Sequence, residues 1–415
     1  MSVPALALAG GTPVRTRPFP SWPVFGSAEE ERLLRVLRSG QWRRLDGAEV
    51  DAFEQRFAAM HGCRYGIAVV NGTVALRIAL LAAGIGADAE VIVPPYTFVA
   101  TATAVLEANA MPVFADVSLD TFNLDPAAVA AAITPRTRAI VPVHFAGQPA
   151  DMDGIRALAA PRGILVLEDA AHAHGAAHRG HPAGSLGDLA TFSFQSSKNV
   201  TAGEGGIITT NDAALARACR SIHNCGRVPE GVWYEHHVVS GNYRMGEFQG
   251  AILNCQLDRF EDQAQTRERN GVRLAGELRR IPGVHVQQRP DACTRHAYHL
   301  FMMRIDPAVF GASREAVRAA LEAEGVPCSA GYGYSLPDQP LFRNQAFGPY
   351  VPHARERLEY TPARCPNSDR LCRDQALWLG QNLLLGSDAD VDDIVTAFAK
   401  VHALRRELIA IDHSR

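Results

Sequence analysis

Short runs of apolar residues alternate with longer segments of helical periodicity through the first part of the chain. Glycine and proline often lie between them, where turns are expected. Short continuous apolar runs are typical of strands that are buried on both faces of a parallel sheet, with helices packed on either side. The runs lie at 66–70, 91–93, 112–114, 139–141 and 164–167. The pattern therefore predicts an α/β domain built on a mostly parallel sheet.

The rhythm changes after residue 167, where two strand-like runs follow each other without a helix between them. They are residues 190–194 and 206–210, and a glycine-bearing loop joins them. Strands joined by a short loop usually pair as antiparallel neighbours. We therefore expect a hairpin added to the parallel sheet.

The second half of the chain predicts a smaller α+β domain. A long charged helix is expected to leave the first domain from about residue 257, followed by a strand and two helices at 298–304, near 313–324 and at 389–409. These features divide the chain into an N-terminal arm, a large domain and a small domain. Their expected bounds are 1–26, 27–256 and 257–415.

The arm is rich in proline and ends close to the first predicted helix. Its five prolines favour an extended segment, and Trp22 and Phe25 need a surface to lie on, which a neighbouring subunit could supply. Ser27 followed by Glu30 fits a capping box, and Gly40 fits the end of the helix. We expect that helix to be the first element of the large domain.

Composition narrows the class of protein. The 415 residues are 47% hydrophobic, and 41 lysines and arginines against 44 aspartates and glutamates give a net charge of -3. With no positive field to attract a phosphate backbone, we expect no nucleic-acid partner. The apolar run near the N-terminus is much shorter than a membrane span, and the eight cysteines include no CxxC pair. The expectation is a cytoplasmic protein that does not bind a membrane.

Two segments at predicted strand ends carry candidate chemistry. Asn71-Gly72-Thr73 lies at a strand-to-helix turn, where free N–H groups and a hydroxyl could hold a phosphate. A simple N-cap explains these residues equally well. Asp169, preceded by Glu168, ends an apolar strand at the sheet edge where α/β proteins bind ligands. A carboxylate there needs a cationic partner, such as a protonated ring nitrogen, unless it only caps a helix.

A third segment contains Lys198. This lysine lies in an otherwise uncharged stretch that leaves a strand, and three glycines at 203, 205 and 206 follow, which would let a flat ligand approach the backbone. Burial would lower the pKa of the amine and make it a nucleophile for Schiff-base formation. A solvated loop lysine is the alternative interpretation.

Two other kinds of site, a dinucleotide-binding site and a metal site, are less well supported. Gly84-Ile85-Gly86 lies at the end of a helical segment, whereas a dinucleotide phosphate needs the start of one. Four histidines crowd the segment after Asp169, but no HExxH motif is present and no third ligand is defined. We expect no bound metal from this group, which comprises His172, His174, His178 and His181.

Taken in order, the motifs resemble those of the DegT/DnrJ/StrS family of sugar and cyclitol aminotransferases. The similarity extends from GGTPVR at 10–15 into the C-terminal domain. The 29-residue separation of Asp169 and Lys198 matches that between the aspartate and the lysine of the family. The resemblance implies fold type I of the pyridoxal phosphate enzymes and a homodimer with shared active sites. The motifs that carry it are NGT at 71–73, PYTF at 95–98, EDAAHAHG at 168–175, TFSFQSSKN at 191–199 and TAGEGG at 201–206.

The resemblance also implies roles for individual residues. Lys198 would form the internal aldimine with pyridoxal phosphate and then move a proton, and Asp169 would keep the pyridinium nitrogen protonated. One branch of the family has histidine in place of this lysine and carries out dehydration, so Lys198 favours amine transfer. The other implied cofactor-binding residues are Gly72, Thr73 and Ser193 at the phosphate, Phe98 against the ring, His172 where many relatives have glutamine, and Asn242 from the partner subunit.

Within the family, the segments 41–44 and 172–175 look closest to glutamine-dependent scyllo-inosose aminotransferases and aminohydroxybenzoate synthases. We therefore expect transfer from L-glutamine or L-glutamate to a ketosugar or ketocyclitol in aminoglycoside-type biosynthesis. Dehydration and aromatisation, with Lys198 as the base, is one alternative, and a non-catalytic cofactor-binding regulator is another. The sequence leaves open the acceptor, the carbon aminated, the stereochemistry and the donor. Candidate substrate residues are Arg44, Tyr332 and Tyr334.

Overall fold

The computed structural model describes residues 5–228, 230–351 and 364–412. Its α-helices are α1 (Ser27–Ser39), α2 (Glu49–Met60), α3 (Gly72–Ala82), α4 (Ala100–Glu107), α5 (Pro126–Ala132), α6 (Met152–Ala159), α7 (Ala213–His223), α8 (Glu247–Leu278), α9 (Pro307–Phe310), α10 (Arg314–Ala323), α11 (Pro340–Arg343), α12 (Pro366–Arg370), α13 (Asp388–Ala403) and α14 (Arg405–Asp412). In the part of the chain that it describes, no helix has the length and apolar character needed to cross a membrane.

Among the described residues, the strands form one large sheet and two small ones. They are β1 (Tyr65–Val69), β2 (Glu90–Val93), β3 (Met111–Phe114), β4 (Thr137–Ile140), β5 (Leu165–Asp169), β6 (Ala177–His178), β7 (His181–Pro182), β8 (Leu189–Ser193), β9 (Gly206–Thr210), β10 (Val284–Val286), β11 (Cys293–Arg295), β12 (Leu300–Ile305) and β13 (Ala376–Gly380). Each of the five apolar runs in the first part of the sequence coincides with a strand to within two or three residues.

The large sheet has seven strands in the order β1-β9-β8-β5-β4-β2-β3. From β8 to β3 all neighbours are parallel, which confirms the predicted mixed, mostly parallel sheet. Strands β8 and β9 form the predicted hairpin, with Ala190 opposite Thr209 and Ser193 opposite Gly206. The hairpin does not end the sheet, however, because β1 pairs with the other side of β9. Because β5 and β8 are parallel neighbours, their carboxyl ends lie side by side.

Helix α8 connects the two halves of the molecule. It begins at Glu247, ten residues before the charged segment that predicted it, and runs without a break to Leu278. The charge pattern missed its first turns because residues such as Ala251 and Leu253 are apolar and buried. The expected division at 256/257 thus falls inside a continuous helix.

The small domain contains the antiparallel sheet β10-β12-β13. Its core includes residues from α8, α10 and α13 and also Leu6 from the arm. Not all of 257–415 belongs to this core, because Phe342 and Phe347 pack into the core around β1, β2 and α3. The chain therefore returns to the large domain after α10.

The arm lies on its own chain in the structure. Arg15 donates to Asp390 and Asp393 on α13, each at 2.7 Å. Helix α1 starts one residue earlier than the sequence suggested, since its N-cap is Gly26 and the Glu29 carboxylate accepts from the Gly26 N–H at 3.0 Å. The capping box predicted for Ser27 and Glu30 is therefore wrong by one position.

Candidate active site

A cavity of about 670 Å³ opens at the carboxyl ends of β5 and β8, facing the start of α3 and the small-domain strands β12 and β13. This is the edge of the sheet at which α/β proteins bind ligands. The structure brings eight of the residues predicted from the sequence to this cavity. They are Gly72, Thr73, Phe98, Asp169, His172, Ser193, Lys198 and Tyr332.

The start of α3 forms one end of the cavity. Asn71 is its N-cap, and the side-chain oxygen accepts from the Val74 N–H at 2.9 Å. No residue with a side chain could replace Gly72 without a shift, because its Cβ would lie 2.8 Å from the Cβ of Ser193. Helix α3 and the end of β8 thus form a close cradle with two hydroxyls, Thr73 and Ser193. The N-cap interpretation is confirmed, and phosphate binding by the first turn of α3 stays a prediction that this N-cap does not oppose.

Asp169 is the last residue of β5 and is buried at the base of the cavity. Burial raises the pKa of its carboxyl, whereas hydrogen bonds from the Thr101 hydroxyl (2.8 Å) and the Ala171 N–H (3.2 Å) lower it. The nearby Lys198 also lowers it. A carboxylate held in this way can pair with a cationic ring nitrogen.

Lys198 follows β8 in a loop that is anchored by neighbouring residues. The Asn199 side chain donates to the Ala297 carbonyl at 2.7 Å, and the Lys198 N–H donates to the Gln195 carbonyl at 2.9 Å. Burial lowers the pKa of the lysine amine to about 8, although the Asp169 carboxylate acts in the opposite direction. The amine is therefore much more nucleophilic near neutral pH than that of a solvated lysine.

His172 lines the cavity beside Lys198. Its Nδ1 accepts from the Ala146 N–H at 3.3 Å, which favours the neutral tautomer with a proton on Nε2. Burial lowers the pKa of its imidazole well below the usual 6.5, so the ring is uncharged at neutral pH. The ring of His299 lies 4.3 Å away, measured between ring centroids. His172 can therefore donate one hydrogen bond without carrying charge.

The four clustered histidines do not form a common site. His174 packs against Phe192 and Phe194 in the core, with ring-centroid distances of 5.6 and 5.7 Å. His178 faces Asp153 at 3.2 Å, away from the cavity. Within the described ranges, no group of three or more histidine, cysteine, aspartate or glutamate side chains has an arrangement suited to a metal ion.

Three predicted site residues lie outside the cavity of their own chain. Arg44 pairs with Asp51 at 2.6 Å and with Glu54 at 3.1 Å, so its charge is already compensated. Tyr334 is 60% exposed and does not line the cavity as Tyr332 does. Asn242 forms a backbone bridge with Asn224, and its role in a partner's site stays a prediction.

Sequence reasoning missed several residues that support or line the cavity. Thr101 follows Thr97 by four residues, and their hydroxyl oxygens are 3.0 Å apart, a spacing that could have linked Thr101 to the motif at 95–98. By contrast, Glu168 shares the strand-end motif with Asp169 but faces away from the cavity, where its carboxylate contacts His144 at 2.8 Å and accepts three backbone N–H groups. Trp22, His299 and Trp378 also line the cavity, and no local pattern marks them.

The fold and the site together define a pyridoxal phosphate enzyme of fold type I. The residues fit that cofactor: the α3 cradle suits its phosphate, Asp169 its ring nitrogen, Lys198 its aldehyde, and Phe98, 59% exposed beside the cavity, its flat ring. Residues 24–399 match the DegT/DnrJ/EryC1/StrS aminotransferase family. The chain belongs to this family, and its cofactor is pyridoxal phosphate.

Two relatives and a solved structure are similar along nearly their whole length. A putative L-glutamine:3-amino-2,3-dideoxy-scyllo-inosose aminotransferase of Streptoalloteichus tenebrarius is 40% identical over 415 residues, covering 95% of this chain and 97% of that protein. The 3-amino-5-hydroxybenzoate synthase of Amycolatopsis mediterranei is 39% identical over 375 residues, covering 90% and 94%. A crystal structure of 3-amino-5-hydroxybenzoic acid synthase matches with a TM-score of 0.83 and 37% identity, covering 93% and 98%.

Proposed function

We propose that this aminotransferase moves the amino group of L-glutamine to a free ketocyclitol, a six-membered carbocyclic ketone with several hydroxyls. The observation that carries this proposal is the chemistry of the cavity wall. It contains Trp22, Phe98, Tyr332 and Trp378, and among the described residues that line it there is no arginine. A nucleotide-linked sugar carries a diphosphate that requires cationic partners, whereas a neutral polyol requires hydrogen-bonding groups and apolar surface. The scyllo-inosose aminotransferase relative supports the same substrate class.

The residues of this chain divide the work of the reaction. When bound, pyridoxal phosphate supplies an aldehyde that condenses with amines and a ring that withdraws electrons from the substrate carbon. Gly72, Thr73 and Ser193 would hold the phosphate group, and Asp169 would keep the proton on the ring nitrogen. Lys198, whose amine pKa is lowered, would take the proton from the substrate carbon and return it to the carbon on the other side of the transferred nitrogen. His172 donates from Nε2 without adding charge.

The proposal includes a homodimer with two shared sites. A segment next to Asn242 exposes apolar side chains that water disfavours, including Trp233 at 76% and Tyr234 at 71% exposure. A second copy of the chain would cover such a segment and would bring Asn242 to the phosphate of the neighbouring site. The eight cysteines are all free thiols, which supports a reducing, cytoplasmic location.

Dehydration and aromatisation is the second candidate function. The observation in its favour is that the aminohydroxybenzoate synthase is 39% identical, almost the same as the aminotransferase relative at 40%. In that reaction Lys198 would remove a proton so that water can leave. The same cavity and the same lysine serve both candidates, so an assay has to separate them.

A substrate panel separates these functions. The purified protein, loaded with pyridoxal phosphate, is incubated with L-glutamine or L-glutamate and with scyllo-inosose, 2-deoxy-scyllo-inosose or a nucleotide-linked ketosugar. An amino-ketocyclohexene carboxylic acid is supplied without donor to detect aromatisation. We expect amination of the free cyclitols with L-glutamine. Activity only on the nucleotide-linked sugar, or only in aromatisation, would overturn the proposal.

A further inference from the structure

Trp22 is the one residue of the described part of the arm that lines the cavity. It is half-buried, and the arm around it is fixed to the small domain, since the Asn382 side chain donates to the Pro20 carbonyl at 2.8 Å. Asn382 and its neighbour Gln381 also line the cavity. The arm therefore contributes a wall of the site, although it precedes both domains in the sequence.

Two contacts hold the indole in place. Its Nε1 donates to the Ser196 carbonyl at 3.0 Å, two residues before Lys198. The guanidinium carbon of Arg267 lies 5.1 Å from the centroid of the indole ring, within the range of a cation–π interaction. Trp22 thus lies between the loop of the reactive lysine and a buried cation on α8.

Arg267 is itself an unusual residue. It is fully buried, and its Nε donates to Gln381 at 2.7 Å, while Nη1 and Nη2 have no hydrogen-bond partner among the described residues. A buried guanidinium without a carboxylate is costly, and the indole face is the electron-rich surface that offsets part of that cost. Arg267 therefore positions both Trp22 and Gln381 at the cavity.

On the basis of the proposed function, we propose that Trp22 is a specificity-determining residue that stacks against the ring of the keto acceptor. A six-membered carbocycle with equatorial hydroxyls has a polar rim and two faces made of C–H groups. An aromatic ring covers such a face and leaves the rim free for hydrogen bonds, for example to Gln381 and Asn382. An extended amino acid such as L-glutamine has no comparable face.

The proposal separates the two half-reactions. Replacing Trp22 removes surface that only the acceptor uses, so it weakens the acceptor step and spares the donor step. Arg267 acts through Trp22 and is a positioning residue. Its replacement should therefore also weaken the acceptor step and spare the donor step, but to a smaller extent. A residue needed only for folding would instead change both steps and the stability of the protein.

The test compares Trp22→Ala and Trp22→Phe with the control variant Phe25→Ala. Phe25 is an aromatic residue of the same arm and is 77% exposed. The holoenzyme is assayed in single-turnover reactions with L-glutamine alone, and in steady state with scyllo-inosose as acceptor. Binding of scyllo-inosose to each holoenzyme is also followed by calorimetry. Thermal unfolding of each variant reports on the fold.

We expect Trp22→Ala to raise the KM and the Kd for scyllo-inosose at least tenfold while the L-glutamine half-reaction changes less than twofold. Trp22→Phe should keep most of the acceptor affinity, and Phe25→Ala should match the wild type. Equal losses in both half-reactions, or an unchanged acceptor KM in Trp22→Ala, would overturn the inference. If the wild-type protein shows no half-reaction with L-glutamine, the proposed function itself fails, which is a separate outcome.

Discussion

The hydroxyl of Thr101 donates a hydrogen bond of 2.8 Å to the carboxylate of Asp169. Thr101 is on α4 and Asp169 ends β5, so the contact joins two elements that meet at the base of the cavity. Because a hydrogen bond to a carboxylate stabilises its charged form, this contact opposes the rise in pKa that burial causes. The charge of Asp169 is thus maintained by a residue outside the family motifs.

Thr101→Val should remove that support and leave the shape of the side chain almost unchanged. A buried hydrogen bond to a charged group contributes about 1.5–3 kcal/mol. We therefore expect kcat to fall by about tenfold or more, and the affinity for pyridoxal phosphate to fall as well. Thr103→Val, on the same helix but away from the cavity, is the control. If the two variants have equal activity, the contact does not support the charge of Asp169.

Cofactor capture should depend on pH through Lys198. Only the neutral amine attacks an aldehyde, and burial lowers the pKa of this amine to about 8. The rate at which the apo protein binds pyridoxal phosphate, followed by visible absorbance, should rise with pH and level off above about 8, well below the 10.4 of a free lysine.

Asp169→Asn should move that midpoint to lower pH. The carboxylate stabilises the charged ammonium, so its removal makes the proton easier to lose and lowers the pKa of Lys198 further. An upward movement of the midpoint, or a midpoint near 10 in the wild-type protein, would contradict this account of the site.

Glu168 should be a residue of stability rather than of catalysis. Its buried carboxylate accepts from His144 and from the N–H groups of Gly184, Leu186 and Gly187. Glu168→Gln places an amide donor among these donors and leaves at least one of them unpaired. We expect the free energy of unfolding in urea to fall by about 3 kcal/mol. The exposed Glu31→Gln is the control, and a loss no larger than that of the control would be the contrary result.

Mixing two inactive variants should restore activity if the sites are shared. Lys198→Ala and Asn242→Ala each damage every site of their own homodimers. A mixed dimer, however, contains one site with both native residues, so random exchange of subunits should restore about a quarter of the wild-type activity. The measurement is activity against time after mixing. Failure to regain activity, when subunit exchange has been shown by mass spectrometry, would place Asn242 outside the neighbouring site.

Much of the fold follows from local patterns. The apolar runs of β1 to β5 are buried on both faces, so their sequence has the composition of a strand in a parallel sheet. The start of α8 was missed for a related reason, since its first turns are buried between α1 and α2 and lack the charges of an exposed helix. Local sequence thus specifies an element well and its surroundings poorly.

The site divides in the same way. Lys198 and Asp169 stand in motifs that are continuous in sequence, and the structure brings both to the cavity. Trp22 and Arg267 reach the site or its wall through packing of distant segments, which no local spacing encodes. Arg44 is the converse case: the sequence predicted a substrate contact, but in the structure Asp51 and Glu54 compensate its charge.

In the proposed function, Lys198 holds the cofactor and gives it up to an amino donor. The chain contains two lysines, Lys198 and Lys400, and Lys400 is paired with Glu324 at 2.8 Å. The most direct measurement is borohydride reduction of the holoenzyme, with and without prior addition of L-glutamine, followed by peptide mass spectrometry. We predict a cofactor adduct on Lys198 that is lost after L-glutamine is added, and none on Lys400. An adduct on Lys400 alone, or one on Lys198 that L-glutamine leaves unchanged, would contradict the account.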